Sequence, residues 1–376
     1  MNDPAARAEL EKLARILDTD TASLAFLDYL EAGQLRTLRE GITDALFEKF
    51  RPSFSGFARL SSLLPLTISA KISERVLGPM LSGRIAGEMP PDRAIELSSR
   101  LSDTFLADTC LELDPERAKP IIAGFPVARS VAITRLLLAR GEYITMGRFV
   151  DVLPDETLFA ATDAIDSGAD LLKISFFVED SQRLDAVIAH LDTERRRAVI
   201  DAAAAEDLWP EVIATLRRIG PEARHALAEL ALAQRAEILD SLIRAAAEHD
   251  LWPSLLTIGR ELPDASVERL ADQPAFDDAR VVRSVIDSVV ANDLWDALQT
   301  QLPLMGPTRC ARLLEVAATE RRAFLAEFGQ RVTAEDSCAD TLRAGSAHLA
   351  APVRAEAAAA SGRTTLAGLI AEPAAS

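Results

Sequence analysis

The sequence predicts an all-α fold, a superhelical array of paired short helices, from three observations. Apolar residues make up 49% of the 376 residues, and the dominant types Ala, Leu and Arg are strong helix formers. Proline, usually followed by an acidic residue, recurs just before helical patterns, where the N–H that proline lacks would have no partner anyway. The tripeptide Asp-Leu-Trp occurs three times at intervals of 43 residues, which is a period typical of helical repeats.

Residues 1–83 form the first predicted region. Apolar residues in "ARAELEKLARIL" recur on one helical face. Residues 51–80 are rich in Ser and Pro, and they are interpreted either as a loop with broken helices or as an apolar surface. Their apolar residues exceed one helical stripe, which leaves core packing and a lipophilic or partner-binding surface as alternatives. The residues assigned to that surface are Leu63, Leu64, Ile68, Ile72, Val76 and Met80.

Residues 84–190 are predicted to be a region of short helices. "EMPPDRAIEL", "ELDPERAKPI" and "VLPDETLFAA" share the pattern of an apolar residue, a proline, an acid and a helical repeat. An acid in the first turn complements the positive end of the helix dipole. The run 171–178, "LLKISFFV", is compatible with a short buried helix or a strand, because periodicity does not separate the two over so few residues.

Residues 191–340 are predicted to hold three helical units of 43-residue period, and 341–376 a capping helix with a frayed tail. In each unit the aspartate is expected to N-cap the second helix, and the leucine and tryptophan to wedge between helices in its first turn. A weaker echo, "LLLARGEYITMGRFVDVLPDE", lies at 136–156 with Tyr143 and Ile144 near the Leu-Trp place. The predicted structural positions are Asp207, Leu208, Trp209, Asp250, Leu251, Trp252, Asp293, Leu294 and Trp295.

The segment 84–165 resembles the cytoplasmic N-terminal superhelical domain of MgtE-type magnesium transporters, in which helices begin with Pro-Asp-Arg-Ala or Asp-Pro-Glu-Arg-Ala. The resemblance implies a right-handed superhelix of short helices and does not imply magnesium transport, because the chain has neither apolar spans nor the nucleotide-binding pair that follows in those transporters. Residues 191–335 resemble HEAT- or armadillo-like repeats in length.

Charge and motifs exclude several functions. The net charge of −17 predicts no nucleic-acid binding, and it repels anionic membranes unless a basic patch is hidden. Three scattered cysteines form no zinc or disulfide pattern. No apolar span or signal peptide is visible, so a cytoplasmic location is expected. Nucleotide and serine-nucleophile motifs are absent, and no cofactor or catalytic residue is predicted. Carboxylate clusters such as Asp277/Asp278 fit helix starts better than a cation site.

These patterns favour a non-catalytic cytoplasmic scaffold that binds a protein partner through the concave face of the array. The alternative is a carrier or sensor of an apolar small molecule or lipid held in the N-terminal half. A third hypothesis is an enzyme without a recognisable motif.

Overall fold

The computed structural model describes residues 3–371, apart from the side chains of residues 50 and 60–62. The prediction of an all-α protein is confirmed, since the described residues contain helices and turns but no strand. None of the described helices is both long enough and apolar enough to cross a membrane. Residues 372–376 of the predicted tail lie outside the described part of the chain.

The chain divides into two compact units. Unit 1 contains residues 1–199 and 218–220, and unit 2 contains residues 200–217 and 221–376. The helices of unit 1 are α1 Pro4–Ile16, α2 Ala32–Leu63, α3 Leu66–Ile72, α4 Gly78–Ala86, α5 Pro91–Ser98, α6 Asp103–Glu112, α7 Pro115–Ala123, α8 Val127–Ala139, α9 Tyr143–Val150, α10 Asp155–Asp163, α11 Gly168–Phe177 and α12 Ser181–His190, with a 3₁₀ turn at Ala22–Leu27 and a π-helical turn at Ser73–Leu77.

Helix α13, Thr193–Ala205, contains the boundary between the units. The helices that follow it are α14 Trp209–Arg218, α15 Pro221–Leu232, α16 Ala236–Glu248, α17 Trp252–Gly259, α18 Asp264–Ala271, α19 Ala279–Ala291, α20 Trp295–Glu320, α21 Arg322–Gly329, α22 Ala339–Ala347, α23 Ala351–Ala360 and α24 Thr365–Ala371, with a 3₁₀ turn at Pro274–Asp277.

The predicted helix starts are confirmed. Helices begin at Pro91, Pro115 and Pro221, while Pro154 and Pro263 are the residues immediately before α10 and α18. In α20, Pro307 follows a kink at Gly306, whose φ of 72° and ψ of 168° are not helical. The segment 171–178, open to two interpretations in the sequence, belongs to helix α11 through Phe177.

The aspartates of the three Asp-Leu-Trp motifs end helices rather than begin them. Their φ angles are 54°, 52° and 53°, and the next residue donates its N–H to a carbonyl five residues back, which is the Schellman arrangement. The predicted N-cap role is therefore wrong, because the next helix begins at the tryptophan. The bonds are Leu208 N to Ala203 O at 2.9 Å, Leu251 N to Ala246 O at 3.0 Å and Leu294 N to Val289 O at 3.0 Å, following Asp207, Asp250 and Asp293.

The same turn closes α8 in unit 1. Gly141 has a φ of 69°, and the N–H of Glu142 donates to Leu137 O at 3.1 Å. Tyr143 then begins α9 as each tryptophan begins its helix. The same turn therefore recurs at the echo seen in the sequence, with Tyr143 rather than Ile144 at the place of the tryptophan.

All three tryptophans are buried, at 2–4% exposure. Trp209 donates its indole N–H to Ser241 Oγ at 3.1 Å, and Trp252 donates to Ser284 Oγ at 2.8 Å. Ser241 lies in α16 and Ser284 lies in α19, each 32 residues after the tryptophan that it bonds. These two bonds therefore connect α14 to α16 and α17 to α19.

Trp295 is packed differently. It stacks on Phe324 and Phe328, with ring centroids 5.4 and 6.2 Å apart, and the Arg331 guanidinium lies 4.5 Å from its ring. Aromatic packing thus replaces the indole–serine bond at the third motif. Of the motif leucines, Leu251 is buried, and Leu208 and Leu294 are half-buried.

Candidate apolar cavity

A cavity of about 400 Å³ lies within unit 1. Its walls come from one continuous stretch of chain, residues 57–187, and every helix from α2 to α12 contributes at least one side chain. Small-molecule sites have volumes of about 300–1,000 Å³, so this space is large enough for a ligand.

The lining of the cavity is apolar with scattered hydroxyl groups. The residues that line it include Phe105, Ile133, Met146 and Phe149, and no lining residue carries a carboxylate, imidazole, ammonium or guanidinium group within the described part of the chain. Such a wall favours an uncharged apolar ligand, because a buried charge without a partner is strongly disfavoured.

Several hydroxyls of the lining are bonded within their own helices. Thr109 Oγ1 donates to Phe105 O at 2.8 Å, and Thr134 Oγ1 donates to Ser130 O at 2.9 Å. Ser82 Oγ differs, since it is buried without a hydrogen-bond partner among the described residues. Ser82 therefore carries a hydroxyl donor that none of the described residues satisfies.

Cys110 is the one titratable group of this lining. Its thiol contributes to the cavity wall, and burial raises its pKa to about 12. A thiol in this state is neutral and a poor nucleophile, because the thiolate is the reactive form. Cys110 therefore acts here as a small apolar side chain.

The cavity opens to solvent at Phe57 and Val76, so water can enter it. Its apolar wall offers few hydrogen-bond partners, and ordered water needs several. An apolar ligand that displaced this water would bury apolar surface, which is favourable. The cavity is therefore better suited to an apolar ligand than to water.

The predicted apolar surface divides into two groups. Leu64, Ile72 and Val76 line the cavity, whereas Leu63, Ile68 and Met80 do not. Those three are exposed at 82%, 47% and 55%. Val76 and Phe57 line the cavity and are still 75% and 52% exposed, so they mark its mouth.

Sequence reasoning missed the greater part of the wall. The sequence pattern predicts short helices at α6 and α8–α11 but no cavity between them. The side chains from these helices that line the cavity include Phe105, Cys110, Ile133, Phe149 and Ile174. One available signal is the run of Ser and Thr at inward positions of otherwise apolar helices, as at Thr109 and Thr134, because a packed core would place larger apolar groups there.

A buried charge network lies elsewhere in unit 1. Lys12, which is 2% exposed, contacts Glu9 at 3.0 Å and Glu179 at 2.7 Å. Arg39 contacts the same two carboxylates, each at 2.9 Å. Burial acts to raise the pKa of Glu179, but Lys12 and Arg39 hold that pKa below its ordinary value.

Asp151, the residue that follows α9, binds the backbone of the turn that carries Glu179. Its carboxylate accepts the backbone N–H groups of Glu179 and Asp180 at 3.0–3.3 Å, and burial raises its pKa. The network thus ties α1 and α2 to the turn between α11 and α12. Because its charges are paired with one another, it is interpreted as a structural fastening.

One exposed trio in unit 2 has the composition of a metal site. Ligand atoms of Asp207, Glu248 and His249 lie within 4.8 Å of one another. His249 Nε2 is 2.9 Å from Asp207 Oδ2, so a surface ion pair accounts for the cluster. The following motif has Asp250 with Ala291 and Asn292 at the corresponding places, so the trio is not a repeated feature.

A second cleft, of about 360 Å³, lies in unit 2 beside Arg309, Arg312 and His348. Arg309 pairs with Asp277, and Arg312 contacts Glu315 at 2.7 Å. Its charges are largely neutralised within the chain, so it is the weaker candidate for a ligand site.

Comparison with protein-family models, with curated proteins and with solved structures found no match to this chain.

Proposed function

We propose that unit 1 binds an uncharged, largely apolar small molecule or lipid chain in the cavity between α2 and α12. The observation that carries this proposal is a 400 Å³ space whose described wall holds no charged group. The ligand would fill this apolar space and exclude water from it. The chain would thus act as a carrier or sensor of an apolar molecule, the alternative that its sequence already raised.

The test is displacement of a fluorescent apolar probe, phenylnaphthylamine, from the purified chain by long-chain fatty acids and alcohols. We expect saturable binding to the wild-type protein. The substitution Thr134→Phe puts a ring into the cavity, and we expect probe affinity to fall about tenfold, equivalent to losing nearly two buried methylenes. The absence of saturable probe binding would overturn the proposal.

Thr300→Phe is the matched control. Thr300 lies on α20 in unit 2, and its hydroxyl bonds to its own helix as that of Thr134 does, at 2.7 Å to Asp296 O. The control changes the same residue type in the same local geometry, but away from the cavity. Equal losses of probe binding in the two variants would show that the effect is not specific to the cavity.

The scaffold hypothesis is the second candidate. The indole–serine bonds of Trp209 and Trp252 join successive helix pairs in the same manner, which supports a superhelical array in unit 2 with a protein partner on its concave face. A scaffold should bind its purified partner equally well as wild type and as Thr134→Phe, measured by calorimetry. A parallel loss of partner and probe binding would instead assign both to the cavity.

The enzyme hypothesis receives no support from the cavity. The titratable group among its described lining residues is Cys110, and its raised pKa makes it a weak nucleophile.

A further inference from the structure

Exposed apolar side chains are concentrated in the first 80 residues of the chain, which include Phe57 and Val76 at the mouth of the cavity. Nine of the ten large apolar side chains exposed in the described part of the chain lie between Leu17 and Met80. We define the apolar rim as the five of these that lie between Phe57 and Met80, from the C-terminal part of α2 to α4: Phe57, Leu63, Ile68, Val76 and Met80. Phe57 and Val76 belong to both the rim and the cavity wall, so the rim is continuous with the cavity.

The backbone aligns part of the rim. Ile68, Ile72 and Val76 are spaced four residues apart along α3 and the π-helical turn Ser73–Leu77. A spacing of four places side chains on one face of a helix. The rim residues Ile68 and Val76 therefore share a stripe with Ile72, which lines the cavity.

The rim lies in the most basic part of an acidic chain. Residues 49–87 contain six basic residues and one acidic residue, Glu74, in a protein of net charge −17. Five of the six basic residues are exposed, of which Arg51 pairs with Glu48 at 3.5 Å and with Glu88 at 3.3 Å, and Glu74 accepts the backbone N–H of Ser102 at 2.9 Å. The exposed basic residues are Lys49, Arg51, Arg59, Lys71 and Arg75.

We propose that the apolar rim and its basic neighbours dock on an anionic lipid surface, with the mouth of the cavity facing the lipid. Apolar side chains ringed by Lys and Arg are the combination that binds the interface of anionic membranes. Net charge does not prevent this, because charges further than about 8 Å away are screened at physiological ionic strength. A second copy of the chain is less suitable, since two such basic surfaces would repel.

This inference rests on the proposed function for its purpose, because a lipid surface would be the source or destination of the apolar ligand. Its test is separate. The full chain is sedimented with vesicles of phosphatidylcholine, with and without one-third phosphatidylglycerol. We expect binding to the anionic vesicles that weakens as salt is raised, and little binding to pure phosphatidylcholine.

Variants assign the contacts. The double substitution Lys71→Gln/Arg75→Gln should lower partitioning about 30-fold, from the typical contribution of two basic residues near an anionic surface. Leu63→Glu/Met80→Glu should abolish binding, and the high exposure of both residues keeps folding unaffected. Both variants leave residues of the cavity wall unchanged.

The controls are matched in kind. Phe26→Glu changes an apolar side chain that is 67% exposed in an acidic segment of unit 1. Lys119→Gln/Arg197→Gln removes two exposed basic residues elsewhere in unit 1. Both should bind vesicles as the wild type does, and losses equal to those of the rim variants would overturn the assignment.

The two proposals fail in different ways. Thr134→Phe should dock normally but bind the probe weakly, and Leu63→Glu/Met80→Glu should bind the probe normally in solution but not dock. Absence of vesicle binding by the wild type would overturn the docking proposal alone. So would a dimer in sedimentation velocity that Leu63→Glu/Met80→Glu dissociates, together with unchanged vesicle binding in that variant.

Discussion

The left-handed aspartates permit a prediction with an unusual sign. Asp293 has a φ of 53° and a side chain 85% exposed, and its nearest ion-pair partner, Arg331, is 3.9 Å away. An L-residue in this conformation carries strain of about 1–2 kcal/mol that glycine does not. Glycine also lowers the free energy of unfolding by about 0.5–1 kcal/mol, because it loses more conformational entropy on folding than other residues do. The exposed ion pair between Asp293 and Arg331 contributes little to the free energy of unfolding, so its loss in either variant has a small effect.

We therefore expect Asp293→Gly to raise the free energy of unfolding by about 0.5–1 kcal/mol. Asp293→Ala should lower it, because alanine keeps the Cβ but loses the local hydrogen bonding by which aspartate tolerates this conformation. The glycine variant should exceed the alanine variant by about 0.5–1 kcal/mol, the Cβ strain less the cost of glycine's flexibility in the unfolded chain. Urea unfolding followed by tryptophan fluorescence is the suitable assay, because all three tryptophans lie in unit 2.

Asp296, exposed in the first turn of α20, is the internal control. Its position is helical, so alanine there should be as stable as glycine or more stable, by up to about 1 kcal/mol. If alanine equals or exceeds glycine at Asp293 as well, the left-handed residue is not what determines stability at that turn, and the explanation of the repeated aspartate is refuted.

Three other perturbations have defined outcomes. Trp252→Ala should cost about 3–5 kcal/mol in urea unfolding through lost burial and a cavity, and a cost below about 1 kcal/mol would instead mark a surface residue. Glu179→Gln leaves Lys12 and Arg39 short of a partner and should cost about 3 kcal/mol at neutral pH. Because the pKa of Glu179 is lowered in the folded state, its stabilisation is present above the unfolded pKa and is lost as pH falls through the folded pKa, so the thermal melts of the two proteins should converge as the pH is lowered through that folded pKa. With a pKa of about 12, Cys110 should react with iodoacetamide at pH 8 about a thousandfold more slowly than free cysteine; a rate like that of the free thiol would show that it is open to solvent.

The features predictable from the sequence are those that depend on neighbouring residues. Pro91, Pro115 and Pro221 begin helices because the missing N–H matters only within one turn. The burial of the tryptophans followed from their period. The role of the motif aspartate was mistaken because short polar side chains suit both an N-cap and a left-handed C-terminal position, and so short a turn between helices contains both places.

The features that escaped prediction depend on residues far apart in the chain. Lys12 and Glu179 are 167 positions apart, and no local pattern pairs them. The cavity requires side chains from eleven successive helices to leave a common space, so it is a property of packing rather than of any motif. The excess of apolar residues at 60–80 was visible, but its division into cavity wall and exposed rim depends on the orientation of each short helix.

The turn that the two units share is followed by different side chains. The same left-handed turn precedes Tyr143 in unit 1 and each tryptophan in unit 2. Each tryptophan is buried, whereas Tyr143 is half-buried and its hydroxyl donates to Asp170 at 2.6 Å. Tyr143 is not among the side chains that line the cavity, so the open volume does not come from the residue at this turn. The cavity wall instead holds Ser, Thr and Cys side chains at positions where larger apolar groups would fill the space.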